Sequence, residues 1–283
     1  MRANSGVTPP GIERVATATT AGAADAKPAR LGWILIQVAA FVVAGGVWGV
    51  ASLLFPATTL PPPTAVLARL GELALTADFW SAVGITIGTF AVALVICIVV
   101  GVPVGLAIGA STIATQSTRL LFDFLRTIPP IAILPLLLLV LGAEFEMVLV
   151  LAVGGAIWPI LIQSIYAARQ GESLLAEMAA SYRVPRAWFI RHIFVPGAIP
   201  FVMTGLRLGT TICLLLTISG ELLGAAPGVG YEIANAQAYY DNTRMYAYVV
   251  VSALLGLTVN GGFWALQRRL LRWHPSIRGE VRS

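Results

Sequence analysis

A chain of 283 residues, 58% of them hydrophobic and only 11% charged, has too few charges to solvate the surface of a soluble domain of its size. That excludes a soluble enzyme or binding module and makes the net charge of +5 a matter of membrane topology rather than of attraction to nucleic acid. The two cysteines, Cys97 and Cys213, fall inside apolar runs and offer neither a disulfide framework nor a metal-ligand spacing.

Residues 1 to 30 are rich in Ala, Thr, Gly and Pro without periodicity and are expected to form a disordered tail. No short apolar region with a small-residue cleavage site precedes the first span, so that span is expected to act as an uncleaved insertion signal. From Leu31 to Phe55 no residue is charged, long enough at 1.5 Å per residue to cross a hydrocarbon core of roughly 30 Å. Pro56 and the Leu60-Pro61-Pro62-Pro63-Thr64 cluster end this span, and Ala65 to Ala77, with Arg69 and Glu72, reads as a short surface helix. A second uncharged run, Phe79 to Thr118, is expected to form one long span. In it Gly84 and Gly88, then Gly101, Gly105 and Gly109, recur every four residues and predict a face where another backbone approaches closely. Thr86 and Thr89 are placed to hydrogen-bond across helices.

Span three contains Arg126-Thr127-Ile128-Pro129-Pro130-Ile131-Ala132-Ile133-Leu134-Pro135. Two adjacent prolines remove two backbone donors, which a membrane tolerates where protein or water satisfies the freed carbonyls, so this span is expected to face protein or a pathway. Asp123 and Arg126, three residues apart, are expected to pair on one helical face. Span four lies between Glu146 and Arg169, with Trp158-Pro159 as an expected kink. Span five runs from near Ile199 to near Leu223, with Arg207 towards one end and Glu221 at the other, both expected to snorkel to the interface. Span six covers Met245 to Gln267 and ends in Arg268, Arg269, Arg272 and Trp273.

Between spans four and five, Gly171 to Pro200 reads GESLLAEMAASYRVPRAWFIRHIFVPGAIP, a segment too charged for the bilayer centre. Leu174, Leu175, Met178 and Ala179 recur at helical spacing, as do Trp188, Phe189, Ile193 and Phe194 after Pro185. Two short amphipathic helices at an angle are predicted. Pro185 pushes Val184 towards extended backbone, so the turn is expected at Val184-Pro185 with a negative φ at Arg183. Six spans put both termini on one side; the tails, the loops after spans two and four and the adjoining span ends hold 16 of the 18 Lys and Arg residues, leaving Arg69 and Arg244 opposite. By the positive-inside rule the arginine-rich side, with both termini and the 171–200 segment, is cytoplasmic.

The order Glu177-Met178-Ala179, three residues, Arg183, nine residues, Ile193, one residue, Val195-Pro196 resembles the EAA loop of bacterial ABC importer permeases. That family has Glu-Ala-Ala, a glycine and Ile-x-Leu-Pro; this chain keeps Glu177, Ala179, Ile193 and Pro196 but carries Met178, Arg183 and Val195 instead of the alanine, glycine and leucine. The Leu-Pro-x-Pro stretch after span one, the Arg-x-Ile-Pro-Pro-x-Ala-x-x-Pro order of span three and the run Glu221 to Gly230 are similar to the nitrate, sulfonate and taurine branch of these permeases. The resemblance covers roughly residues 31 to 275. It implies an all-α integral membrane fold of six transmembrane helices with a cytoplasmic helical coupling loop over 171–196, flanked by tails at 1–30 and 276–283.

The resemblance also implies a multi-pass protein of the bacterial plasma membrane that works with a second permease copy as a homodimer, a cytoplasmic ABC ATPase subunit and an extracytoplasmic solute-binding protein. It assigns Leu174, Leu175, Glu177, Met178, Ala179, Arg183, Pro185, Ile193 and Pro196 to ATPase coupling. Candidates for the translocation path are Arg126, Pro129, Pro130, Arg207 and Glu221. No cofactor, catalytic residue or metal is expected on this chain, with ATP and Mg on the partner ATPase: no GxxxxGK[ST] pattern is present, and the only lysine is Lys27. The histidines, His192 and His274, have no ligand-like spacing. An ion-coupled secondary transporter is the alternative reading, and it would need ionisable groups near the midplane, whereas charges within spans cluster near span ends.

Overall fold

A computed structural model describes residues 30–56, 58–169 and 174–271, with side chains from residue 35 and, after the second gap, from residue 177. The expected tails, Lys27, Gly171 to Ser173, Arg272 and Trp273 lie outside the described residues, as do the side chains of Leu174 and Leu175. The elements in order are α1 (Arg30–Leu54), α2 (Pro63–Leu73), α3 (Ala77–Gly109), α4 (Thr112–Leu125), a 3-10 turn (Pro130–Ile133), α5 (Leu134–Leu141) and α6 (Phe145–Arg169). After these come α7 (Leu174–Ser181), α8 (Arg186–Phe189), a π turn (Ile190–Phe194), α9 (Val195–Gly224), α10 (Val229–Ala238) and α11 (Asn242–Leu270). Among the described residues every element is helical. Five helices are long and apolar enough to cross a membrane, and a sixth crossing arises when α4 and the 130–141 pair, bent by 68°, count as one broken span.

Local sequence sets the breaks. Pro62 and Pro63 open α2, Thr76 caps α3 by accepting from the Phe79 N–H at 3.4 Å, and Asp241 caps α11 by accepting from the Arg244 N–H at 3.0 Å. The expected uninterrupted span from Phe79 to Thr118 is corrected here: α3 stops at Gly109, and Ser111 accepts from the Ala114 N–H at 3.2 Å to begin α4. Absence of charge carries no information about a helix end, whereas a serine oxygen able to hold an orphan N–H does. The double proline breaks the helix, with Pro129 extended at ψ 121° before the 3-10 turn. Span five also differs from expectation, because Arg186 to Gly224 runs helically through the π turn without an intervening loop.

Helix α6 is the centre of the bundle, held between α3 and α9. A methyl at Gly105 would come within 2.5 Å of the Leu161 carbonyl oxygen, and one at Gly109 within 2.6 Å of the Ile165 carbonyl oxygen. On the opposite side of α6, a methyl at Gly205 would lie 2.9 Å from the Pro159 carbonyl oxygen. Small residues at such crossings let backbones touch, which matters where lipid removes the hydrophobic drive for helix association. Only part of the α3 glycine stripe works this way: Gly84 and Gly88 have open space around them, correcting the expectation of one continuous packing face. Phe90, Cys97, Ala156, Ile160 and Cys213 fill the core between α3, α6 and α9, both thiols buried and free. A second cluster, including Val66, Phe79, Val229 and Tyr248, ties α2, α3, α10 and α11 together at the end where α3 begins.

Candidate functional site

The two ends of the bundle differ in chemistry. At the end where α3 begins, Arg69 pairs with Glu72 at 2.8 Å and with Asp241 at 3.5 Å, and Arg244 pairs with Glu232. Cations are balanced by acids there. At the opposite end, where Gly109 meets Ala168, Arg119, Arg126 and Arg169 line one cleft with a single carboxylate, Asp123, which pairs with the first two. The charged segment 174–194 leaves α6 and enters α9 at this same end.

That segment presents apolar side chains to its surroundings. Met178 is 47%, Tyr182 79% and Trp188 50% exposed, while Ala179, Val184, Ile193 and Pro196 are half-buried and Glu177, Arg183 and Pro185 are exposed. The Trp188 ring stacks on His192, with centroids 4.6 Å apart, and fixes the α8 face. Large apolar groups left exposed beside Arg183, Arg186 and Arg191 give this segment a mixed apolar and cationic surface.

The bend between α7 and α8 overturns the proline account. Arg183 has φ +52°, in the left-handed region, not the expected negative value. The Val184 N–H donates to the Ala179 carbonyl at 2.9 Å and the Arg183 N–H to the Ala180 carbonyl at 3.0 Å. This pair of bonds is a Schellman closure, which requires a left-handed residue just past the helix. A left-handed arginine costs about 1 kcal/mol, but each bond it permits returns roughly 0.5 to 1.5 kcal/mol and satisfies an otherwise orphaned carbonyl. Pro185, at φ −58° and ψ 132°, starts the second helix; it does not end the first. Replacing Arg183 with glycine is therefore expected to stabilise the bend by about 1 kcal/mol. Hydrogen exchange should show greater protection over 174–184 in Arg183→Gly, and lower protection would count against the closure. Pro185→Ala should leave the two helices separate.

The path candidates do not converge. Arg126 lines a cleft of about 300 Å³ between α4 and α6, pairing with Asp123 at 3.0 Å as expected. Pro129 and Pro130 sit at the break beyond it, the first exposed and the second half-buried. Arg207 is exposed on α9 in an open groove shared with Ser252, Gly256 and Asn260 of α11. Arg119 and Arg169 share the cleft with Arg126, Arg169 being expected only as the end of span four. Spacing of Arg119, Asp123 and Arg126 by four and three was the available signal for the first.

Glu221 requires the largest correction. It does not snorkel: it is fully buried. One carboxylate oxygen accepts from the Thr86 hydroxyl of α3 at 2.9 Å and from the Gly230 N–H of α10 at 3.0 Å, while Thr86 in turn accepts from the Val229 N–H at 2.9 Å. Two of the orphan donors at the start of α10 are thus held by side chains from α9 and α3, and a carboxyl group stands at the positive end of that helix. The backbone must come very close for this. A methyl at Gly228, itself at φ +146°, would clash with the carboxylate, and one at Gly230 would lie 2.6 Å from the Leu222 nitrogen. Thr86 therefore bonds across helices as expected, whereas Thr89 bonds only the Ile85 carbonyl of its own helix.

Comparison with known proteins agrees with this arrangement. Residues 98–272 match the family described as binding-protein-dependent transport system inner membrane component. The chain is 29% identical to the putative aliphatic sulfonates transport permease protein SsuC of Bacillus subtilis (strain 168), over 92% of this chain and 96% of that protein. It is 27% identical to the taurine transport system permease protein TauC of Escherichia coli (strain K12), over 82% of this chain and 86% of that one. The nitrate import permease protein NrtB of Synechocystis sp. is 30% identical, over 56% of this chain and 57% of its own. In fold, a chain of the inward-facing MetNI methionine ABC transporter superposes with a TM-score of 0.57 at 18% identity, covering 67% of this chain and 94% of that one. With the matched region exceeding half its length and every described element helical, the chain belongs to the binding-protein-dependent transport system inner membrane components, the membrane permease subunits of ABC importers.

Proposed function

We propose that this permease imports a small oxyanion of the sulfonate, taurine or nitrate class, handed over by an extracytoplasmic binding protein and driven by a separate cytoplasmic ATPase. Two copies form the path. The arginine-rich end faces the cytoplasm of a bacterial cell, with both termini on that side, and the end carrying α10 faces the binding protein. The observation that carries this reading is the exposed apolar surface of Met178 and Tyr182, ahead of span five, and of Trp188 at its start, on a charged helical segment at the end with the cation excess. ATP binding closes the ATPase pair, segment 171–196 moves with it, and the permease pair rocks between two states, each favoured by its own contacts. This chain performs no covalent step. Names of the relatives support the solute class.

The test is the docking face. Met178→Asp places a charge where an apolar anchor meets its partner, and losing such an anchor typically weakens an interface by about 2 kcal/mol, or roughly thirtyfold. Co-purification with the ATPase subunit and solute uptake should both fall, with membrane insertion unchanged. Wild-type levels of both would place the docking surface elsewhere.

A further inference from the structure

We propose that the cleft between α4 and α6 is a binding site for a phosphate or sulfonate group, held by Arg119, Arg126 and Arg169. The inference is independent of which solute is transported. Four charged side chains line the cleft, three guanidinium groups and one carboxylate. Asp123 lies 3.0 Å from Arg126 Nη2 and 3.9 Å from Arg119 Nε, and occupies only a fraction of the ten N–H donors those two arginines carry. The lining is thus left with an excess of two positive charges. A planar fork of N–H donors matches an oxyanion's geometry, and three such forks line the cleft.

The other polar groups narrow the choice. Thr115 and Thr118 donate their hydroxyls to the carbonyls of Ile108 and Ala114 at 2.9 and 2.8 Å, so donors come from the arginines and the Tyr166 phenol. Phe122, Ile162 and Ile165 give the cleft apolar walls, and Phe122 lies against Trp158 with ring centroids 5.9 Å apart. Such walls leave the guanidinium groups as the main polar lining of the cleft.

A topological role explains why arginines sit at this end but not why three of them share one concavity. Nor does packing hold α4 here, since none of its residues is buried. Arg119 and Arg126, on the α4 side, share the single carboxylate of Asp123, while Arg169, the last residue of α6, lines the other side of the cleft. An occupied cleft would clamp α4 to α6 at the residue from which the coupling segment departs. The phosphate of an anionic phospholipid headgroup and a free anion of the cytoplasm offer the same chemistry.

Thermal unfolding of the full-length chain separates these sources. In neutral detergent, inorganic phosphate or methanesulfonate exchanged against chloride at constant ionic strength should raise the unfolding midpoint if the ligand is a free anion. A rise only when phosphatidylglycerol replaces phosphatidylcholine in nanodiscs identifies the lipid headgroup. In either case Arg119→Gln and Arg169→Gln should each weaken apparent affinity by about tenfold, and their combination should remove the effect. Because the Arg119 side chain is 82% exposed, its variant should fold. Absence of a rise with all three probes on the wild-type chain, or a rise that survives the double substitution, would overturn the proposal.

Discussion

Replacing Glu221 with alanine is expected to lower stability by about 3 kcal/mol and to abolish uptake. The change leaves the Gly230 N–H without its acceptor, in a site with no access to water, while the Thr86 hydroxyl keeps only the Ala82 carbonyl of its own helix at 3.2 Å. An unmet buried donor costs roughly 1 to 3 kcal/mol, and full burial puts this one at the upper end. Glu221→Gln tests which property matters. The glutamine carbonyl can accept both bonds, but its amide brings two N–H donors to the place of the second carboxylate oxygen, which has no partner among the described residues. Those unmet donors cost part of what the retained bonds keep, whereas alanine loses the bonds and leaves a cavity. Thermal unfolding in detergent should therefore rank wild type above Gln and Gln above Ala. Thr86→Val should resemble Ala, and the Thr86→Val/Glu221→Ala pair should fall well short of the sum, as expected of groups acting in one network. A glutamine variant as damaged as the alanine variant would show that the bonds to Thr86 and Gly230 are not what holds α10.

Sequence reasoning reached this site only in part, for a physical reason. Apolar length and charge placement are properties of a segment by itself, so the spans, the coupling segment and the Asp123–Arg126 pair were legible. Burial of Glu221 depends on Thr86, 135 residues away, and on a backbone approach allowed by Gly228 and Gly230. A glutamate near a span end reads as interfacial until its partners are in place. Arg183 failed differently. A non-glycine residue argues against positive φ, but the carbonyls of Ala179 and Ala180 at the end of α7 need donors that only a left-handed residue brings into reach. Tyr240 repeats the pattern: at φ +58° it closes α10, with the Asp241 N–H on the Ala236 carbonyl and its own N–H on that of Gln237. At both places backbone hydrogen bonding outweighed side-chain preference.

Gly105→Leu is expected to be the most damaging substitution in the spans. Its first side-chain carbon would meet the Leu161 carbonyl oxygen at 2.5 Å and the Ser164 Cβ at 2.6 Å, and backbone cannot swing aside as a flexible side-chain tip can. The helices must move apart, and the contact of Gly109 with Ala168 one turn further along is lost with them. Overpacking typically costs about 1 to 3 kcal/mol; with a carbonyl of α6 in the way, the upper end or more is expected. Gly88→Leu is the control within the same helix and the same four-residue spacing, because open space surrounds Gly88. A sequence argument that treats the five glycines as one stripe expects equal damage from both. The close approach confined to Gly101, Gly105 and Gly109 predicts that Gly88→Leu accumulates in the membrane like wild type while Gly105→Leu is degraded or unfolds at a much lower temperature. Position along the helix matters for coupling as well. The Gly105–Gly109 contact grips the last two turns of α6, which lead through Arg169 into the segment bearing Met178 and Tyr182, so a milder Gly105→Ala should weaken the link between ATP hydrolysis and transport before it unfolds the protein. Equal accumulation and equal coupling of the Gly88 and Gly105 variants would mean that α3 and α6 are not in backbone contact at this end.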